Sequence, residues 1–163
     1  MNNWQAIGNK HLFYALELLG HVTEVKALPA CYQAILNSVV LTLNQAWLAW
    51  LQELSSYTGA NLSHSRSFAD TAVADLPECQ YLCSFLSDPE SWLSLLLLRV
   101  ESDDHGIVNL LEASTSVKQP ISPTGINRIE LVQIEQDEAA LLKRIISEFK
   151  DYLRSVRSRQ IEW

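Results

Sequence analysis

The longest uninterrupted apolar pattern in the chain runs from Ala27 to Gln52. It holds no Lys, Arg, His, Asp or Glu, although Lys26 and Glu53 stand on either side. Pro29 suits a first helical turn, where its missing N–H is not needed, and Gly59 suits a terminator. At about 100° per residue, Ile35, Leu36, Val39, Leu43, Ala46, Trp47, Trp50 and Leu54 fall on one broad face. Gln33, Asn37 and Asn44 stack elsewhere, with Ser38, Gln45 and Gln52 beside them and Leu41, Leu48 and Leu51 on the same side. The polar side is therefore amide and hydroxyl rather than ionic. Three readings compete. The plainest is the central helix of a bundle, covered on most of its circumference. A membrane span has the necessary length of about 20 residues. It would, however, leave Gln33, Asn37, Asn44 and Gln45 to find partners in lipid, and no basic cluster marks a flank. No span is expected. The third reading is a subunit seam, since uncharged polar groups can line a dimer interface without burying ions. It is compatible with the first.

The remaining pattern is also helical. Trp4 to Leu19 carries apolar spacing through Ile7, Leu12, Tyr14, Ala15, Leu18 and Leu19, with Gly20 as its stop. Gly59 to Arg66 is a loop by composition. Ser67-x-x-Asp70 predicts a helix start that runs on to Leu86, with a reset near Asp75-Leu76-Pro77. Asp88-Pro89-Glu90 predicts another start, and the helix after it, ending near Asp103-Asp104, is apolar nearly all round. Val108 to Leu111 suggests a short helical turn, and Ser114 to Gly125 an exposed loop. The alternation of Ile129 to Ile134 (IELVQI) is strand-like. It predicts a short extended segment, laid over the bundle or paired with its twin in a dimer, because a lone strand has nothing to pair with. Gln136 to about Gln160 is the clearest amphipath, with Leu142, Ile145, Ile146, Phe149, Leu153 and Val156 as its stripe. The expected fold is all-α, an up-and-down bundle of four to five helices around one long central helix.

Composition narrows the class. With 163 residues, 48% of them hydrophobic and 19% charged, the chain is expected to form one domain over residues 1–163 with a real core and a tendency to self-associate. A net charge of −7 argues against a general nucleic-acid binder. Three cysteines, Cys31, Cys79 and Cys83, are an odd and sparse set that suggests free thiols in a reducing compartment. The start Met1-Asn2-Asn3-Trp4 shows no signal peptide, so the cytoplasm is the expected location.

Several stretches together carry a resemblance. They are Gly8-Asn9-Lys10-His11-Leu12-Phe13-Tyr14-Ala15, Leu43-Asn44-Gln45-Ala46-Trp47-Leu48 with Leu51-Gln52-Glu53-Leu54, Pro89-Glu90-Ser91-Trp92-Leu93, and the ending Arg159-Gln160-Ile161-Glu162-Trp163. The set resembles a family of short uncharacterised proteins of Pseudomonas-like gammaproteobacteria, catalogued as a domain of unknown function. The resemblance implies a stand-alone bacterial cytoplasmic protein and carries no activity, cofactor or catalytic residue.

Candidate chemistry is sparse. Cys79 and Cys83 share a helix face and with Cys31 could make a thiolate site, but structural zinc uses four ligands and tighter spacing, and Cys is ordinarily a core residue. Carboxylate-bridged metal bundles need Glu-x-x-His, whereas Glu17 with His21 and Glu101 with His105 are four apart. No metal or cofactor is expected. Arg99 and His105 loosely match the spacing of HEPN-type helical ribonucleases, with His moving the proton of a 2′-hydroxyl and Arg holding phosphate charge. Glu101, Asp103 and Asp104 would repel RNA there. Ser63, His64 and Asp70 are loop composition rather than a triad.

Charge placement says more. Asp70 to Glu112 holds nine acidic residues against one basic, Arg99, while six of the twelve basic residues lie between Lys143 and Arg159. Lys143, Lys150, Arg154 and Arg157 project within about 60° of one another. Either they lie beside the acidic segment and steer helix pairing, or they hold an anionic partner. On the second reading, replacing Arg154 and Arg157 by Ala abolishes binding and spares stability. Trp47 and Trp50 belong to core spacings, and Trp163 is a candidate interface anchor. The leading expectation is a non-enzymatic bundle acting through protein–protein interaction as a homodimer, with Gln33, Asn37, Asn44 and Trp163 at the interface. The alternatives are a small RNase-like hydrolase using Arg99 and His105, and an interior binder of apolar ligands.

Overall fold

Several helix ends have a local cause. The computed structural model describes the backbone of residues 3–70, 72–113 and 128–160, and side chains over 3–70, 72–102 and 138–159. Helix α1 spans Trp4–His21, and its first turn is capped by Asn3, whose Oδ1 accepts from the Ala6 N–H at 3.3 Å. It runs through Gly20 to His21, so glycine alone did not stop it. Helix α2 spans Pro29–Thr58 and ends where Gly59 adopts φ 71°, a left-handed conformation open to glycine, with its N–H on Ser55 O at 2.9 Å. At 30 residues it is about 45 Å long.

The segment after it is pinned to α2 rather than free. Trp47 Nε1 donates to Ser65 O at 2.9 Å, Gln52 Nε2 donates to Leu62 O at 3.1 Å, and the Leu62 N–H donates to Ser55 Oγ at 3.1 Å. Leu62 and Phe68 are buried beneath these ties. The helix expected to start at Ser67 is a single 3-10 turn, Ser67–Ala69, because the chain turns extended at Asp70. Helix α3 starts instead at the proline, spanning Pro77–Leu86.

Helix α4 spans Trp92–Ala113. Its start lies beyond the expected Asp88-Pro89-Glu90 signal. Ser91 is the capping residue, with Oγ accepting from the Ser94 N–H at 3.2 Å and donating to Phe85 O at 2.6 Å. Asp88 is occupied with the Glu90 N–H at 2.9 Å. The helix also continues past Asp103-Asp104 and Gly106, taking in Val108 to Leu111. Helix α5 spans Arg128–Gln160. The extended segment expected at Ile129–Ile134 is therefore corrected: it forms the first turns of α5. Six alternating residues continue into a strong helical pattern, and among the described residues no strand exists for them to pair with. The predicted loop Ser114 to Gly125 lies outside the described residues.

Pairings fix the topology. Phe149 meets Trp47, Tyr152 meets Trp50 and Arg157 meets Glu53, so α5 runs parallel to α2. Trp92 meets Phe149 and Arg99 meets Glu138, so α4 runs antiparallel to α5. Asn9 meets Arg157, while Leu16 shares a cleft with Ile146, so α1 runs antiparallel to both α5 and α2. Helices α1, α2, α4 and α5 touch in that order and close a ring, with α3 packed on α4. The fold is all-α and up-and-down, as the periodicity predicts.

The core is unusually aromatic at the end where α3 sits. Trp92 stacks on Phe149 at 4.6 Å, and Trp47 meets Phe68, Trp92 and Phe149 edge-on at 5.6, 5.9 and 6.1 Å. Such pairs each add about 0.5–1.5 kcal/mol beyond area burial. Of the face assigned to α2, Leu36, Val39, Leu43, Ala46, Trp47, Trp50 and Leu54 are buried and Ile35 half-buried. Leu51, assigned to the polar side, is instead fully buried. By length and composition α2 could cross a membrane, but half of its most apolar window is buried inside the protein.

Candidate functional site

The four cations expected to form one stripe on α5 split into two environments. Arg157 turns inward. Its Nε and Nη2 donate to the two oxygens of Glu53 at 3.0 and 2.6 Å, and Nη1 donates to Asn9 Oδ1 at 2.9 Å. The Glu53 side chain is 5% exposed and that of Arg157 16%. The guanidinium also lies 5.8 Å from the Trp50 ring centroid. This fork-on-fork pair ties three helices together, and its planar bidentate form needs Arg. Neither of the expected roles describes it: Arg157 is not free for a ligand, and its partner lies on α2 rather than in the acidic segment from Asp70 to Glu112.

Lys143, Lys150 and Arg154 behave otherwise. All are exposed and line the furrow between α1 and α5. Two clefts open along it, of about 390 Å³ and 240 Å³, and both include Lys150 and Arg154. Leu12, Leu16, Ile146 and Leu153 line the furrow, and Asp151 holds Arg154 at 2.9 Å. An open trough with an aliphatic floor and a cationic rim can take an amphipathic ligand carrying negative charge.

The outer face of α2 is the second surface. Gln33 Nε2 donates to Asn37 Oδ1 at 2.9 Å, so these expected interface residues satisfy each other. Asn44 is half-buried, and its Oδ1 finds no hydrogen-bond partner among the described residues. The positions facing away from the core are Cys31, Ala34, Leu41 and Gln45, all exposed, with Ser38 half-exposed between them and Leu48, beyond Gln45, half-exposed at the edge of the core. Ser38 Oγ donates to Ala34 O at 2.8 Å and Thr42 Oγ1 to Ser38 O at 2.6 Å, so the hydroxyls here are turned into their own helix. The fourth expected interface residue, Trp163, lies outside the described residues.

The remaining candidates do not assemble. Arg99 donates to the Glu138 carboxylate, which occupies its guanidinium. His105 lies on α4 six residues along, and its side chain lies outside the described residues. Of Ser63, His64 and Asp70, the His64 ring lies 3.5 Å from Asp70 and Ser63 is exposed, while the neighbouring Ser67 Oγ donates to His64 O at 2.6 Å. Cys79 is buried, which pushes its thiol above the ordinary value, and the Cys83 thiol leans toward Phe68 O at 3.9 Å. Burial likewise pushes the Tyr152 phenol well up. The Trp50 N–H is close enough to offset part of that rise but does not meet hydrogen-bond geometry.

The chain belongs to a family of unknown function, DUF6586, whose family model matches residues 1–163. No curated protein and no solved structure matches it.

Proposed function

We propose that this protein acts by binding rather than by catalysis, and that it pairs with a second copy of itself through the outer face of α2. One observation carries the reading. Cys31, Ala34, Ser38, Leu41, Gln45 and Leu48 recur at alternating steps of three and four along the outer side of α2, where only Leu48 also reaches the edge of the core, and they include no ionisable carboxylate or amine. That is the 3.5-residue spacing with which two helices interlock. It runs about 25 Å along α2.

Charge explains why the partner is another copy. A chain of net charge −7 repels its own kind over most approaches. A strip without charge removes that repulsion where the copies meet, and a twofold pairing sets the same strip against itself. Cys31 and Ala34 are small and Ser38 is already bonded to its own helix, which allows close approach along that part of the strip. Leu41, 52% exposed, is the large apolar group that the strip presents to solvent and its expected anchor. Gln33 and Asn37 flank it, consistent with a polar rim.

Sedimentation velocity tests the proposal. The expected result is a dimer at tens of micromolar, converted to monomer by Leu41→Glu with the helical circular-dichroism spectrum unchanged. A wild-type chain that stays monomeric at the highest soluble concentration would overturn it, as would a dimer indifferent to Leu41→Glu.

A further inference from the structure

The furrow between α1 and α5 lies at a different corner of the bundle from the α2 strip, and it is not self-complementary. We infer that it is a docking groove for an acidic amphipathic helix of a partner protein.

The argument begins with local charge. Most of this chain is acidic, yet along the furrow the sign reverses. Lys143, Lys150 and Arg154 line one wall, and the carboxylate on the same wall, Asp151, is already held by Arg154. Glu148 is turned away to Arg144 at 2.8 Å. Arg157, at the end of the furrow, contributes no free charge because Glu53 neutralises it. The net result is a short cationic rim on an anionic body, which favours a partner surface of opposite sign.

Shape selects the class of partner. From Lys143 to Arg154 the rim covers twelve residues, about 16 Å or three helical turns. The floor is aliphatic: Leu12 and Leu16 from α1, Ile146 and Leu153 from α5. Phe13, 57% exposed, falls by helical spacing about 40° from Asn9 on α1, outside the lining of the two clefts and at their outer lip. A third helix laid here puts its i, i+3, i+7 apolar residues on the floor and its Asp and Glu residues against the rim. A nucleic acid matches the rim but not the floor, and phosphate recognition favours forked Arg, of which the rim has one, already paired. A fatty acid matches the chemistry, but the clefts are open to solvent along their length rather than enclosing.

The probe is a fluorescein-labelled 18-residue helical peptide with Leu at i, i+3, i+7 spacing and Glu on its polar face. Controls are the same peptide with Lys for Glu, a 20-nucleotide single strand, and oleate. Fluorescence anisotropy on the full chain is expected to give micromolar binding for the Glu peptide alone. Charge reversal at two exposed positions, Lys150→Glu with Arg154→Glu, is expected to weaken it at least tenfold while the melting temperature stays within 2 °C, a change typical of exposed sites. Phe13→Ala, a substitution that leaves the rim intact, is expected to weaken it severalfold. No binding at 100 µM peptide, binding indifferent to the double reversal, or tighter binding of the oligonucleotide or oleate would each overturn the inference. A chain that loses dimerisation through Leu41→Glu yet keeps the Glu peptide shows that the two faces are independent.

Discussion

The inner wall and the outer edge of α5 carry the same residue types and do opposite things. On the inner wall, Arg157 is sunk among Glu53, Asn9 and Trp50, and Tyr152 is buried between Trp50, Trp92, Phe85 and Tyr81. On the outer edge, one turn away, Arg154 is 75% exposed beside a carboxylate 65% exposed, and Lys150 stands in the same open furrow. Three residues separate Arg154 from Arg157. The difference teaches that a charge's angle around a helix matters less than what stands opposite it. Arg157 meets a carboxylate on α2, and that meeting turns a surface cation into a fastening of the fold.

The contrast can be broken most sharply at Arg157. Arg157→Ala leaves Glu53 buried and unpaired and is expected to cost about 3–5 kcal/mol. For a chain of this size that lowers the melting temperature by about 10 °C. The double change Glu53→Met with Arg157→Met is expected to recover much of the loss, because two matched apolar chains replace the pair without stranding a charge. A single mutant as stable as wild type in thermal melts would erase the distinction between the two sides of α5.

A smaller effect is expected from pH. The folded state holds the Tyr152 phenol neutral above its ordinary value, through burial. A raised folded value means the stabilisation is complete below the unfolded value, about pH 10, and is lost as pH climbs beyond it. Thermal melts at increasing pH should decline above that point, and Tyr152→Phe should decline less. Cys79, raised in the same direction by burial, should add to the loss at alkaline pH. Equal declines in wild type and Tyr152→Phe would show that the inner wall does not govern the alkaline limb.

The smallest effects belong to the outer edge. Arg154→Ala and Lys150→Ala are each expected to change stability by less than about 0.5 kcal/mol, since exposed ion pairs contribute little. A larger loss would make the furrow part of the scaffold rather than a surface kept free for a partner.

Much of the bundle could be read from spacing. Pro29 and Gly59 bracket α2 as the rules for helix ends require. Of the expected stripe on α5, Leu142, Ile145, Ile146, Phe149 and Leu153 are buried and Val156 is half-buried. Boundaries resting on weaker local signals moved. Gly20 and Gly106 did not stop their helices, Asp88 did not start one, and Ile129–Ile134 joined α5 despite its alternation. At Gly20, Gly106 and Ile129–Ile134 a neighbouring helical pattern outweighed the local preference, because packing energy is summed over a whole face, whereas at Asp88 a later residue, Ser91, took the cap.

The site was less legible. Spacing placed Lys143, Lys150, Arg154 and Arg157 within about 60° of one another on α5, but could not separate Arg157, which turns inward, from the other three. No sequence rule could pair Arg157 with Glu53, 104 positions away, or draw Asn9 in from the other end of the chain. The signal that could have raised the question was Glu53 itself, the first charge after twenty-six uncharged positions, next to a core-spaced Leu54. What the sequence alone determined is which residues must leave water, since apolar periodicity is a property of each helix by itself. What only the tertiary structure decided is which charges go with them. That depends on the separation of groups on different helices, and burying an ion is tolerable only where its counterion is already waiting.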